Sequence, residues 1–145
     1  MNKKLLIKKA FRFVSIYGVS RTLIKIIARM RLQIPFWLFL SVPNYLKNGK
    51  TVGFIGCGHH TYSSLAFFLT RSTNFKIIWA YDIDQGAVKS MTKSYGIKNT
   101  NSKGDLKNNS LPDIVYIASN HSTHTDYAIE YINKGCDVFI EKPIS

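Results

Sequence analysis

Two glycines one residue apart, Gly56 and Gly58, follow directly on the apolar run 52–55 in the stretch TVGFIGCGHHTYSSLAFFL. A buried strand that ends in G-x-G and opens a helix is a phosphate cradle. The first glycine allows the tight turn, the second leaves the backbone bare for a pyrophosphate, and the helix presents free N–H groups and its positive dipole end. Thr61 stands where the third glycine of the fingerprint would be, and its bulk is expected to hold the helix slightly farther from the strand. His59 and His60 follow the turn and are read as walls of the pyrophosphate groove that add donors to the phosphate. Two alternatives stay open: ordinary loop side chains, or a metal shared with His121 and His124. No carboxylate or Cys accompanies either pair at ligand spacing, so no metal is expected.

Asp82 lies 26 positions after Gly56, at the end of the strand-like run FKIIWAY. A carboxylate there can accept from a ribose 2′-hydroxyl, and neither Ile83 nor Asp84 offers positive charge to a 2′-phosphate. NAD is therefore expected in preference to NADP. The alternative for Asp82 is a turn residue or helix N-cap.

These groups need a frame that brings strand ends together. From Thr51 onward the sequence alternates strand-like and helix-like stretches, which predicts a doubly wound parallel α/β sheet of the Rossmann type. A helix is expected over 61–70, a strand over 76–81, and a helix over 85–95 that buries Val88, Met91 and Tyr95 and stops at Gly96. Residues 97–112 barely show a third strand. A strand over 113–118, a helix ended by Gly135, and a strand starting in CDVFI complete the pattern.

Charge divides the chain. Residues 1–50 hold eleven Lys or Arg and no acidic residue, whereas residues 51–145 hold nine basic and eight acidic ones, so nearly all of the net +12 sits in the first part. The turn dipeptide Asn48-Gly49 marks the boundary between a basic helical extension, 1–48, and a nucleotide-binding domain, 49–145. Within the extension, Leu6, Ala10, Phe13 and Tyr17, then Leu23, Ile27 and Met30, recur at helical spacing. Two helices broken near Gly18 are expected, with Ser20 as N-cap of the second. Lys4, Lys8 and Arg12 lie four apart, as do Arg21, Lys25 and Arg29. Stacked like charges oppose an isolated helix by roughly 0.2–0.5 kcal/mol per pair, which calls for an anion or a packed partner. Three readings follow: a solvated face packed on its own domain or on a twin subunit, a helix lying on an anionic membrane with Phe36, Trp37 and Phe39 in the interface, or nucleic-acid binding. No recognition motif accompanies the last. Cys57 and Cys136 show no paired spacing, and the apolar run between Pro35 and Pro43 is too short to span a bilayer. A cytoplasmic protein, peripheral to the membrane through residues 1–47, is the expectation.

Taken together, VGFIGCG, DID, DIVYIASNHSTH and GCDVFIEKP resemble the N-terminal half of the Gfo/Idh/MocA family of nicotinamide-dependent oxidoreductases, over residues 51–145. The resemblance implies hydride transfer to or from a hydroxyl or carbonyl of a sugar, sugar nucleotide or cyclitol. It places Lys142 of the Glu141-Lys142-Pro143 stretch near the nicotinamide as the catalytic residue, touching a substrate hydroxyl. It also sets Glu141 beside the cofactor, and with it Ser119, Asn120 and His124 through the family's T-P-N-x-x-H stretch, in which Asn120 replaces the proline and His121 the asparagine. The family's substrate domain follows E-K-P and would lie beyond Ser145, so the chain by itself is expected to be inactive. A homo-oligomer is compatible with this reading. The alternative function is a non-catalytic dinucleotide-binding or membrane-associated module.

Overall fold

The computed structural model describes residues 3–35, 43–97, 99–100 and 110–143. The chain opens with α1 (Lys3–Tyr17) and α2 (Val19–Met30). A 3-10 turn, Asn44–Leu46, leads into β1 (Lys50–Ile55), then a π-helical stretch, Thr61–Leu65, that runs into α3 (Ala66–Arg71). There follow β2 (Phe75–Tyr81), α4 (Gln85–Tyr95), β3 (Asn99–Thr100), β4 (Ile114–Ile117), a 3-10 turn, His121–Thr123, α5 (His124–Asn133) and β5 (Asp137–Ile140). The strands form one five-stranded sheet in the order β3-β2-β1-β4-β5, and every pairing is parallel. The chain winds outward from β1 to β3 and then returns to lay β4 on the other side of β1. That reversal leaves a crevice at the carboxyl ends of β1 and β4.

Alternation along the strands sends their side chains to two cores. Val52 and Phe54 of β1 pack on one face with Tyr62, Ala66 and Phe67 of the helix after the glycine turn and with Val88, Met91 and Tyr95 of α4. Ile55, Trp79, Val115 and Ile117 pack on the other face with Ala128 and Tyr131 of α5. α4 has the bounds and the buried residues that its periodicity predicts. Asp84 caps its N-terminus by accepting from Gly86 N and Ala87 N, and Gly96 closes it at φ 64°.

The extension departs from its predicted pattern in two respects. Gly18, not Ser20, stands at the N-terminus of α2, because the break at φ 83° lets the helix restart at Val19. The buried stripe of α2 is Ile24 and Ala28, which join the first core, while Leu23 and Met30 are exposed. Both stripes have helical spacing, and only the position of the sheet selects between them. Phe36, Trp37 and Phe39 lie outside the described residues. Among the described residues the third strand comprises Asn99–Thr100, opposite Trp79 and Ala80.

Two polar residues between the extension and the sheet are buried with specific partners. The Asn44 carboxamide donates to Ile77 O and accepts from Ile77 N at 2.8 Å, completing that peptide's hydrogen bonding where β3 does not reach. The Lys47 side chain is buried, and its Nζ donates to Leu69 O at 3.3 Å and Thr70 O at 2.6 Å, carbonyls in the last turn of α3. Burial lowers the Lys47 pKa to about 8. The unfolded chain therefore keeps a proton that the folded chain has released between about pH 8 and the ordinary lysine value of 10.5, so this group adds stability as pH rises through that window. Denaturant midpoints at pH 7 and pH 10 should show the native protein gaining relative to Lys47→Met. A relative loss at high pH would contradict this assignment.

Candidate dinucleotide site

The glycine turn ties three strand ends together. Gly56 N donates to Tyr81 O at 2.8 Å, Ala118 N donates to Ile55 O at 2.7 Å, and Cys57 N donates to Asp82 Oδ2 at 2.6 Å. Gly56 sits at φ 97°, and a Cβ there would run into the Ala118 carbonyl, so the fold itself demands glycine. Gly58 differs: a Cβ at that position would meet no protein atom within 4 Å. With Gly56, Asp82, Ser119 and Asn120 among others, Gly58 lines a cleft of about 240 Å³. This cleft brings the two glycines, Asp82 and the residues after β4 together at the crevice.

Asp82 holds its own loop as well as the turn, because Oδ1 accepts from Asp84 N at 2.9 Å. Cys57, between the glycines, turns its thiol into the core, and burial there pushes its pKa strongly upward. Thr61 is fully buried at the position of the fingerprint's third glycine, and the helix is π-wound from that residue, with the Ala66 N–H reaching back five residues to Thr61 O. The wider turn gives the threonine room that a glycine would not need. The Tyr95 hydroxyl donates to Tyr62 O within this stretch.

The second half of the site is organised by His124, which is buried. Its Nε2 lies 2.9 Å from Ser119 O and its Nδ1 3.2 Å from Pro143 O, so one ring joins the loop after β4 to the E-K-P segment after β5. His124 itself does not line the cleft. Asn120, in the place of the family's proline, has φ −64°, the angle a proline imposes, so the loop keeps that backbone without the ring. Glu141 N donates to Ile117 O at 2.8 Å, and Glu141 Oε1 meets His60 Nε2 at 2.8 Å. His59 and His60 are both exposed, and neither lines the cleft that holds Gly58. Lys142 is exposed beside this pair. Among the described residues no three His, Cys, Asp or Glu side chains gather as metal ligands.

Sequence reasoning missed several parts of the site. Thr123, Tyr81 and Tyr127 also line the cleft, and burial pushes the Tyr127 hydroxyl up to about 12. Arg31 donates to Cys57 O at 2.9 Å, and Arg21 donates to Ser63 O, so α2 grips the glycine turn and the helix behind it. Nothing local in the sequence signals these long-range bonds, although Thr123 lies inside the stretch 119–124 that the family resemblance places beside the cofactor.

Fold and site together define a dinucleotide-binding module of the Rossmann type. The chain belongs to the Gfo/Idh/MocA oxidoreductases: residues 50–145 match that oxidoreductase family's NAD-binding Rossmann fold. An oxidoreductase from Formosa agariphila is 33% identical over 95 residues, covering 63% of this chain and 29% of the relative. Among solved structures, the WlbA dehydrogenase of Bordetella pertussis, in complex with NADH and UDP-GlcNAcA, is similar at TM-score 0.61 and 20% identity, over 68% of this chain and 30% of its own. A 3-ketoreductase from Actinomadura kijaniata, in complex with TDP-benzene and NADP, has TM-score 0.61 at 19% identity, over 68% and 31%. The scyllo-inositol dehydrogenase of Lactobacillus casei has TM-score 0.60 at 24% identity, over 69% and 30%. The chain thus spans about three tenths of the length of these relatives.

The two glycines should separate on substitution. Gly56→Ala is expected to lower stability by about 2 kcal/mol or more, because it combines a strained φ with a backbone clash. Gly58→Val should leave the unfolding midpoint nearly unchanged and still weaken NAD binding at least about tenfold, by filling the cleft. Chemical denaturation and calorimetric titration of both variants provide the check, and equal stability of the two would contradict the division of roles.

Proposed function

We propose that residues 49–145 are the nucleotide-binding domain of an enzyme that transfers hydride between a nicotinamide and a hydroxyl or carbonyl of a sugar, sugar nucleotide or cyclitol, with NAD preferred over NADP. The observation that carries the reading is Gly58, a glycine the protein's own packing does not require, which lines the cleft together with Gly56 and Asp82. Gly56 and Gly58 would admit the pyrophosphate, Asp82 would accept from the ribose hydroxyl, and Ser119 and Asn120 would border the nicotinamide half. In this reading His59, His60 and Glu141 support the rim rather than line the cleft, and His124 positions the loop. A bound nicotinamide would supply the hydride donor or acceptor. Lys142 Nζ would hold or release the proton at the reacting oxygen, the service a substrate alcohol needs as it loses or gains hydride.

Asp82 supports the NAD preference: it projects a carboxylate at the end of β2, and the residues after it, Ile83 and Asp84, bring no cation for a 2′-phosphate. Titration calorimetry should therefore show NAD binding more tightly than NADP, and the reverse order would overturn the assignment. In a protein that joins this chain to a substrate domain, Lys142→Met should lower kcat by about 10²- to 10⁴-fold. NAD affinity should stay the same in that variant.

The extension, residues 1–48, is proposed to lie on an anionic membrane surface. Leu5, Phe11, Ile16, Val19, Leu23 and Met30 are all exposed, and Phe11, Val14, Leu23 and Ile26 line an apolar groove between α1 and α2. A segment with ten basic and no acidic residues complements anionic headgroups around such a face. No described helix is long and apolar enough to cross a membrane. Sedimentation with vesicles containing phosphatidylglycerol should pellet the protein, less so at high salt, and Phe11→Ser with Leu23→Ser should release it. Equal pelleting with neutral vesicles would sink the proposal.

A further inference from the structure

A second concave site lies where α2 meets the helix after the glycine turn. It has a volume of about 480 Å³ and shares no lining residue with the dinucleotide cleft. Lys25 and Arg29, one turn apart on α2, form one wall, and His59, His60 and Ser64 form the other. Among the described residues no carboxylate lines it. At its edge, Glu141 Oε1 meets His60 Nε2 at 2.8 Å.

The neighbours of each group explain why this concentration of donors persists. Arg21, the first of the three basic residues spaced by four on α2, is occupied elsewhere: it donates to Ser63 O and stacks on Phe68, with the guanidinium 4.7 Å from the ring centroid. Lys25 lines the cleft, and its Nζ lies 4.6 Å from the centre of the Phe13 ring, which holds the ammonium beside α1. Arg29 extends exposed into the same space. Like charges one turn apart repel, and here two imidazoles face them. The arrangement is suited to a ligand that only accepts hydrogen bonds and carries more than one negative charge. A diphosphate meets both conditions, since a guanidinium grips phosphate oxygens in a fork and the ammonium, imidazole and hydroxyl groups add further donors.

We infer that the cleft between α2 and the glycine-turn helix binds a diphosphate group, at a site distinct from that of the dinucleotide, with Arg29 and Lys25 as its principal contacts. The inference builds on the proposed function in one respect: the His60–Glu141 pair ties the cleft to the residue that precedes Lys142, so the diphosphate is assigned to the part of a sugar substrate that lies away from the reacting carbon. Diphosphate is common to sugars carried on a nucleotide and sugars carried on a lipid. The extension would then complete a substrate site that residues 49–145 cannot form without it.

Inorganic pyrophosphate titrated calorimetrically into the protein saturated with NAD, at about 50 mM salt so that screening is modest, is expected to bind at one site and more tightly than inorganic phosphate. Arg29→Ala should weaken it at least about tenfold, with Lys25→Ala as the second variant. NAD affinity, measured separately, should be unchanged in both. Because Lys25 also contacts Phe13, the exposed Arg29 decides the matter if Lys25→Ala disturbs the fold. UDP and farnesyl diphosphate form the two further arms, and the tighter of them identifies the carrier. Failure of pyrophosphate to bind, displacement of pyrophosphate by NAD, or an unchanged affinity in Arg29→Ala would each overturn the inference. A failure of NAD itself to bind would instead count against the proposed function, and the pyrophosphate titration can be read without it.

Discussion

The structure depends on one close approach, the passage of the Gly56 backbone against the Ala118 carbonyl. Only a residue without a Cβ can make it, and it brings β1 and β4 together where the strand order reverses. Around that contact Tyr81 O, Ile55 O and the Asp82 carboxylate take the N–H groups of Gly56, Ala118 and Cys57. Because the ends of β1, β2 and β4 are tied in the same few residues, the crevice between them has a fixed shape before any ligand arrives. Pre-organisation of this kind lowers the ordering cost that a bound dinucleotide would otherwise meet.

The basic extension is built into this arrangement. Ile24 and Ala28 of α2 enter the core that covers one face of the sheet, and Arg21 and Arg31 donate to backbone carbonyls of Ser63 and Cys57. α2 thus carries three functions on three faces: an apolar one buried on the domain, a cationic one turned to the second cleft, and an apolar one left outward beside α1. Repulsion along this row is reduced because Arg21 turns to Ser63 O and Phe68 while Lys25 turns to Phe13. Asn44 and Lys47 extend the attachment by completing backbone hydrogen bonds of β2 and α3.

The E-K-P segment is held by side chains from two helix starts, that of α5 and that after the glycine turn. His124 reaches Ser119 O and Pro143 O, and His60 pairs with Glu141. Lys142 lies between these two attachments in sequence, which restricts the backbone on both sides of it while its side chain stays exposed. A group proposed to manage a proton gains from such restraint, since catalysis by orientation is sensitive to displacements near 1 Å, which can cost roughly 100-fold.

Local sequence determined the elements whose signals are confined to a few neighbours. The strand, the G-x-G turn, Asp82 at the end of β2, and α4 with its glycine stop could all be read directly, because φ/ψ limits, capping and periodicity act over one or two turns. The family itself was legible from four such stretches. Tertiary structure alone decided which of two equally periodic stripes of α2 is buried, that Asn44 and Lys47 enter the interior, and that His60 meets Glu141. It also decided that His124 braces the loop from behind the cleft, and that the helix is π-wound from Thr61. Each of these rests on groups distant in the chain, or on the space left once helix and sheet have packed. Their energies depend on a juxtaposition that no local pattern encodes, and so they appear only when the sheet is assembled.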